Sequence, residues 1–126
     1  MDASGRDPPT ERVIGFAIEV HRTLGPGLLE SAYEECLCVE LEQAAIVDAR
    51  QVPLPLVYKG RRLDCGYRLD IVVHNTLVLE IKSVERLLPI HDAQLLTYLR
   101  LNRRGVGLLI NFNSTLLKNG IRRFVL

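Results

Sequence analysis

Three charged residues stand where apolar ones belong. Asp70, Glu80 and Lys82 lie in the stretch YRLDIVVHNTLVLEIKS, Tyr67 to Ser83, whose Val, Ile and Leu runs flank a polar interruption at His74-Asn75-Thr76. That pattern predicts two buried strands joined by a tight turn. Charges in such strands are costly unless paired or bound to a metal. Register decides whether the three can act together. A three-residue loop, His74 to Thr76, pairs Val73 with Leu77 and sets Asp70 opposite Glu80 on one face. Alternation places Lys82 on that same face. A two-residue loop would oppose Asp70 to Ile81 and send the carboxylates to different sides. Directly opposed carboxylates repel. A hard cation between them removes that cost, since Mg²⁺ is held by one or two carboxylates plus waters and substrate phosphates. Lys82 would then neutralise developing charge or orient a water. The competing reading makes the three residues the solvent face of an edge hairpin.

The chain that must position them has 126 residues, enough for one domain with a core of its own. Its net charge is +1, so no global basic field demands a nucleic-acid partner, and phosphate binding would have to come from local patches. No apolar run reaches the length of a membrane span, and no signal peptide is visible. The three cysteines, Cys36, Cys38 and Cys65, lack zinc-like spacing. Free thiols suit a reducing compartment, which predicts a cytoplasmic protein.

Met1 to Pro9 is polar and reads as a disordered lead-in, with a single domain over residues 10–126. Thr10 is the expected N-cap of a first helix carrying Val13, Ile14, Ala17, Ile18, His21 and Leu24 at helical spacing. His21, on that apolar stripe, is a core residue or a minor site candidate. Gly25-Pro26-Gly27 stops the helix. A second helix is expected from Leu29 to Ala45. Glu30 in its first turn is favoured by the helix dipole, or is aimed at the acidic hairpin. Glu34, Glu35, Glu40 and Glu42 read as a solvated face. Val52 to Tyr58 reads as a strand, for which Pro53 and Pro55 argue an edge position or a late start, with Lys59-Gly60-Arg61-Arg62 as a turn. After the central hairpin, Pro89 marks a helix over Ile90 to Arg103, with Gln94 and Tyr98 one turn apart on one face. Val106 to Phe112 and Ile121 to Val125 complete the strands. The order is α-α-β-β-β-α-β-β, and one mixed sheet flanked by helices is its economical packing.

Several of these residues also form a known constellation. Gly27-Leu-Leu-Glu30-Ser-Ala-Tyr33 resembles the signature of the GxxExxY protein family, and Leu24 to Gly27 is similar to its lead-in. That family lies within the PD-(D/E)XK nuclease-like superfamily. Asp70 followed by Glu80-Ile81-Lys82 is similar to the superfamily's split metal-binding motif, with Leu69 in place of the proline. Gln94-x-x-x-Tyr98 resembles the QxxxY element of its exonuclease branch. The resemblance covers the chain from about Val13 to Val125. It implies an α/β, restriction-endonuclease-like core. It implies Mg²⁺ or Mn²⁺ bound by Asp70, Glu80 and the Ile81 carbonyl, with Glu30 as a further ligand or the holder of a bound water. Lys82 would position the nucleophilic water or stabilise the transition state, and Gln94, Tyr98 and Tyr33 would support the cleft.

The dibasic pairs Arg61-Arg62, Arg103-Arg104 and Arg122-Arg123 are candidate contacts to a nucleic-acid backbone, or solubilising surface features. The expected function is therefore metal-dependent hydrolysis of phosphodiester bonds, in DNA rather than RNA. The first alternative is a nucleic-acid- or protein-binding module that retains the nuclease fold without independent catalysis. The second is a scaffold for which the acidic cluster is only a charged edge. The chain is close to a bare core, so a homodimer or a partner protein would help it grip a substrate.

Overall fold

The computed structural model describes residues 7–126. Its first helix, α1 (Pro8–Leu24), starts earlier than Thr10 suggests. Asp7 is the N-cap, and its carboxylate accepts the Thr10 N–H at 2.9 Å. Pro8 and Pro9 fill the first turn, where no N–H is missed. Of the expected tail, residues 1–6 lie outside the described residues. The stripe that α1 buries is Thr10, Val13, Ile14, Ala17 and Val20, whereas Ile18 and Leu24 remain exposed.

The second helix, α2 (Glu30–Gln43), buries Tyr33, Glu34, Leu37, Cys38 and Leu41. The expected strand at Val52–Tyr58 is two strands, β1 (Asp48–Pro53) and β2 (Leu56–Tyr58), because the Leu54-Pro55 segment separates them. Arg61 and Arg62 belong to a short strand, β3 (Arg61–Leu63), that pairs only with β2. The turn expected there is confined to Lys59 and Gly60. Next come β4 (Arg68–Val73), β5 (Leu77–Lys82), α3 (Pro89–Asn102), β6 (Val106–Asn111), a short 3₁₀ turn (Leu117–Gly120) and β7 (Ile121–Val125).

The main sheet has the order β1-β4-β5-β6-β7. Only β5 and β6 run parallel, and α3 makes the crossover that a parallel pair requires. The other pairs are antiparallel. This mixed α/β sheet between helices fits the restriction-endonuclease-like class, with the β2–β3 hairpin as an added piece. Alternation along the strands divides the core. Ile71, Leu79, Ile81, Leu108 and Ile110 pack with α1 and α2. Val72, Val78 and Leu109 pack with Leu95, Tyr98 and Leu99 of α3. Each fully buried Leu or Ile contributes on the order of 1.5–3 kcal/mol, so the two layers hold the sheet from both sides. Gly107 lets α3 approach β6, since a Cβ there would lie 3.1 Å from Leu95 Cδ1.

Candidate active site

The hairpin loop has three residues, with Val73 paired to Leu77 and Ile71 to Leu79. His74 and Asn75 adopt left-handed φ of 52° and 57°, which lets so short a loop close. The backbone pairing ends at Ile71–Leu79, one residue short of Asp70 and Glu80. Here the carboxylates enter the ladder. Asp70 Oδ2 accepts the Ile81 N–H at 2.8 Å, and Glu80 Oε1 accepts the Asp70 N–H at 3.4 Å.

Strict alternation also breaks at this level. Leu69 packs on the α3 side, although Ile71, two residues on, packs on the α1–α2 side. On the neighbouring strand Arg50 reaches Glu34 of α2, while Val52 packs on the α3 side. Between them Gln51, which the β1–β4 register sets opposite Asp70, has φ of 50°. Both strands thus change face together. Asp70 opens into a pocket of about 400 Å³ that it lines with Glu30, Ser31, Glu34, Gln51 and Ile81. Glu80 faces the α3 side, where its charge raises the pKa of the Tyr98 hydroxyl after burial does. The two carboxylates therefore meet across the plane of the sheet rather than side by side on one face.

Electrostatics follows from that placement. Burial, then the charge of Asp70, pushes Glu80 up to about 8. Burial also raises Asp70, opposed by the Ile81 N–H and by Lys82, and reinforced by Glu34 and Glu30. When protonated, Glu80 can donate to the Asp70 carboxylate, which adds to its rise. Lys82, half-buried at the end of β5, favours the charged form of both acids. With both acids ionised, the site would carry more buried negative charge than its single lysine balances.

The flanking residues are held by backbone. Glu30 is the first residue of α2, and its Oε2 accepts the Ser83 N–H at 3.2 Å. Ser83 Oγ donates to the Leu28 carbonyl at 2.6 Å. Tyr33 stacks on Phe112, with ring centroids 4.5 Å apart. Its hydroxyl donates to the Gly25 carbonyl at 2.6 Å and accepts the Leu28 N–H at 3.1 Å. Tyr33 thereby fixes the loop that launches Glu30. Gln94 bonds the Tyr98 hydroxyl, and both line a second groove beside the acids.

Other expected site residues lie elsewhere. His21 Nε2 meets the Ser114 carbonyl at 2.6 Å and is not drawn into the acidic group. Arg104 is bound to Asn75, in the hairpin loop at the far end from Asp70. Arg122 pairs with Asp92 at 2.6 Å and Arg123 with Asp7 at 3.2 Å. Arg61, Arg62 and Arg103 are exposed.

Glu34 corrects the expectation of a solvated face. It is 6 % exposed, and its carboxylate accepts from Arg50 at 2.8 Å and Gln51 at 2.9 Å. Its spacing from Glu30, one helical turn, was the available signal. Gln51 and Asn111 carried none. Asn111, buried beside Lys82 in the parallel register, accepts the Val84 N–H and donates to the Val84 carbonyl, both at 3.0 Å. Burial lifts the Cys38 thiol to about 12, which disfavours its thiolate near neutral pH.

A family profile described as the PD-(D/E)XK nuclease superfamily matches residues 7–124. The chain belongs to that superfamily. No curated protein and no solved structure matches it. A nuclease-type function acting on nucleic acid follows from membership in the superfamily, whose nucleases generally use divalent metal ions. Among the described residues, no group of three or more His, Cys, Asp or Glu side chains is gathered closely enough to hold a metal. The donor set still fits a hard cation of low protein coordination. Asp70, Glu80 and the Ile81 carbonyl are oxygen donors, and Mg²⁺ takes its remaining ligands from water and phosphate. Among the described residues, no helix is long and apolar enough to cross a membrane.

Proposed function

We propose that this protein hydrolyses phosphodiester bonds in a reaction dependent on Mg²⁺ or Mn²⁺, with DNA as the expected substrate. The observation that carries the reading is the Asp70–Glu80 pair at the end of the hairpin, two largely buried acids that hold a proton on their own and would both ionise where a cation offset their repulsion. A cation held by Asp70, Glu80 and the Ile81 carbonyl would make hydroxide available near neutral pH and polarise a phosphoryl oxygen. Asp70 and Glu80 are supplied from adjoining strands, so their separation is set by the hairpin and not by a mobile loop. Ile81 fixes Asp70 through its N–H. Lys82 brings a compact positive charge to the place where the transition state gains negative charge. Glu30 would be a further ligand or hold a cation-bound water at the rim of the site, its position set by Ser83 and, through the preceding loop, by Tyr33. The Gly27, Glu30 and Tyr33 set supports placing the chain with the GxxExxY family.

The test is hydrolysis of end-labelled oligonucleotides with Mg²⁺ or Mn²⁺, alongside calorimetric titration with Mn²⁺. Lys82→Ala should bind Mn²⁺ and cleave nothing. Asp70→Asn should fold, because the amide oxygen can still accept the Ile81 N–H, and should lose saturable Mn²⁺ binding. Full cleavage by Lys82→Ala would refute the role given to that residue. Cation-independent binding of oligonucleotides without cleavage would favour the binding-module reading, in which the fold persists without catalysis.

A further inference from the structure

Beside the acidic pair, on the α3 side of the sheet, lies a groove of about 420 Å³ that the catalytic reading leaves unused. Leu56 of the β2–β3 hairpin, Tyr67, Ile90, Gln94, Thr97 and Tyr98 line it. Its walls are mainly apolar and aromatic, with few polar groups, which is the make-up of a site for a flat ring rather than for a phosphate. The Tyr67 and Tyr98 rings lie 5.9 Å apart and are inclined by 57°, so they do not cover each other. Tyr98 is almost buried, but Tyr67 remains 42 % exposed and has ring surface to give.

Position and charge narrow the guest. Tyr98 packs in one cluster with Leu69, the neighbour of Asp70, and with Val78, two residues before Glu80, so the groove opens next to the place where a scissile phosphate would sit. Arginines border it. Arg100 donates to Thr97 Oγ1 at 3.0 Å, and Arg68 adjoins Tyr67 and donates to its carbonyl at 3.2 Å. Positive charge around an aromatic, apolar slot complements a base attached to a phosphate backbone.

We infer that the groove takes one unpaired nucleobase from the strand whose phosphate is cut, and that the substrate is single-stranded nucleic acid or an unpaired end. The inference rests on the nuclease reading and adds the substrate class to it. A base within a duplex has both faces covered by its neighbours. Only an unstacked base offers a face to Tyr67 and an edge to Gln94 and Thr97. Tyr67 is the platform, and Tyr98 closes the inner wall.

The experiment is fluorescence anisotropy with a fluorescein-labelled twelve-nucleotide single strand and the corresponding blunt duplex, in Ca²⁺, on wild type, Tyr67→Ala and Tyr67→Phe. The wild type should prefer the single strand. Tyr67→Ala should weaken that binding about tenfold or more, and leave duplex binding unchanged. Tyr67→Phe should retain it, which separates ring stacking from loss of fold. Equal binding of both forms, or no effect of Tyr67→Ala, would overturn the inference while leaving the nuclease reading intact. Binding of neither form would overturn both.

Discussion

Replacing Glu80 with Gln tests whether the acidic pair is an uncompensated charge. Glu80 is 6 % exposed, and burial followed by the charge of Asp70 raises its carboxyl from 4.5 to about 8. In the unfolded chain it returns to its ordinary range. Above about pH 4.5 the unfolded chain has therefore released a proton that the native protein still holds. The stability this contributes is complete below that pH and is lost as the pH climbs toward about 8. Asp70, also raised, acts in the same direction. At pH 7 the cost corresponds to roughly 3 kcal/mol, at ~1.4 kcal/mol per pH unit above the unfolded value. The amide of Glu80→Gln has the same shape. It can accept the Asp70 N–H and donate to the Asp70 carboxylate, and it carries no charge to bury. Urea unfolding followed by far-ultraviolet circular dichroism in EDTA should show the variant more stable than wild type by about 1–3 kcal/mol near pH 7.5 and nearly equal to it near pH 5. Added Mn²⁺ should stabilise the wild type and not the variant, because only a native state that binds the ion gains from it. A variant less stable at both pH values, or a gain that ignores pH, would refute the reasoning.

Three further variants probe the frame around the site. Tyr33→Phe keeps the stack on Phe112 but loses the hydroxyl that joins Gly25 and Leu28, and should cost ~1–2 kcal/mol in urea unfolding. Asn111→Ala leaves the Val84 and Asn113 N–H groups without their acceptor, and should cost about 2–3 kcal/mol in thermal or urea unfolding. Gly120→Ala would bring a Cβ within 2.6 Å of the Asn111 carbonyl oxygen, and should destabilise by ~1–3 kcal/mol, read as a lowered melting temperature.

The amino-acid order by itself determined the hairpin and the place of its loop. His74-Asn75-Thr76 between two apolar runs marks the turn, the structure takes the three-residue loop over the two-residue one, and a slip of one residue would exchange the side chains packed on α1 and α2 with those packed on α3. The helices were equally legible from their apolar spacing, as was the mixed sheet from the order of elements. Local pattern could not reach facts that arise between elements. Glu34 reads as one more surface acid until Arg50 and Gln51, brought over it by β1, bury and neutralise it. Arg104, Arg122 and Arg123 read as free cations until folding delivers Asn75, Asp92 and Asp7 to them. The change of face at Gln51 and Asp70 has no sequence mark, because a left-handed φ at a glutamine is imposed by its neighbours and not by its own preference. That change aims Asp70 at α2 and leaves Glu80 with α3. Sequence chose the acids, and packing between layers chose where each one points, since direction depends on which surfaces close over a strand.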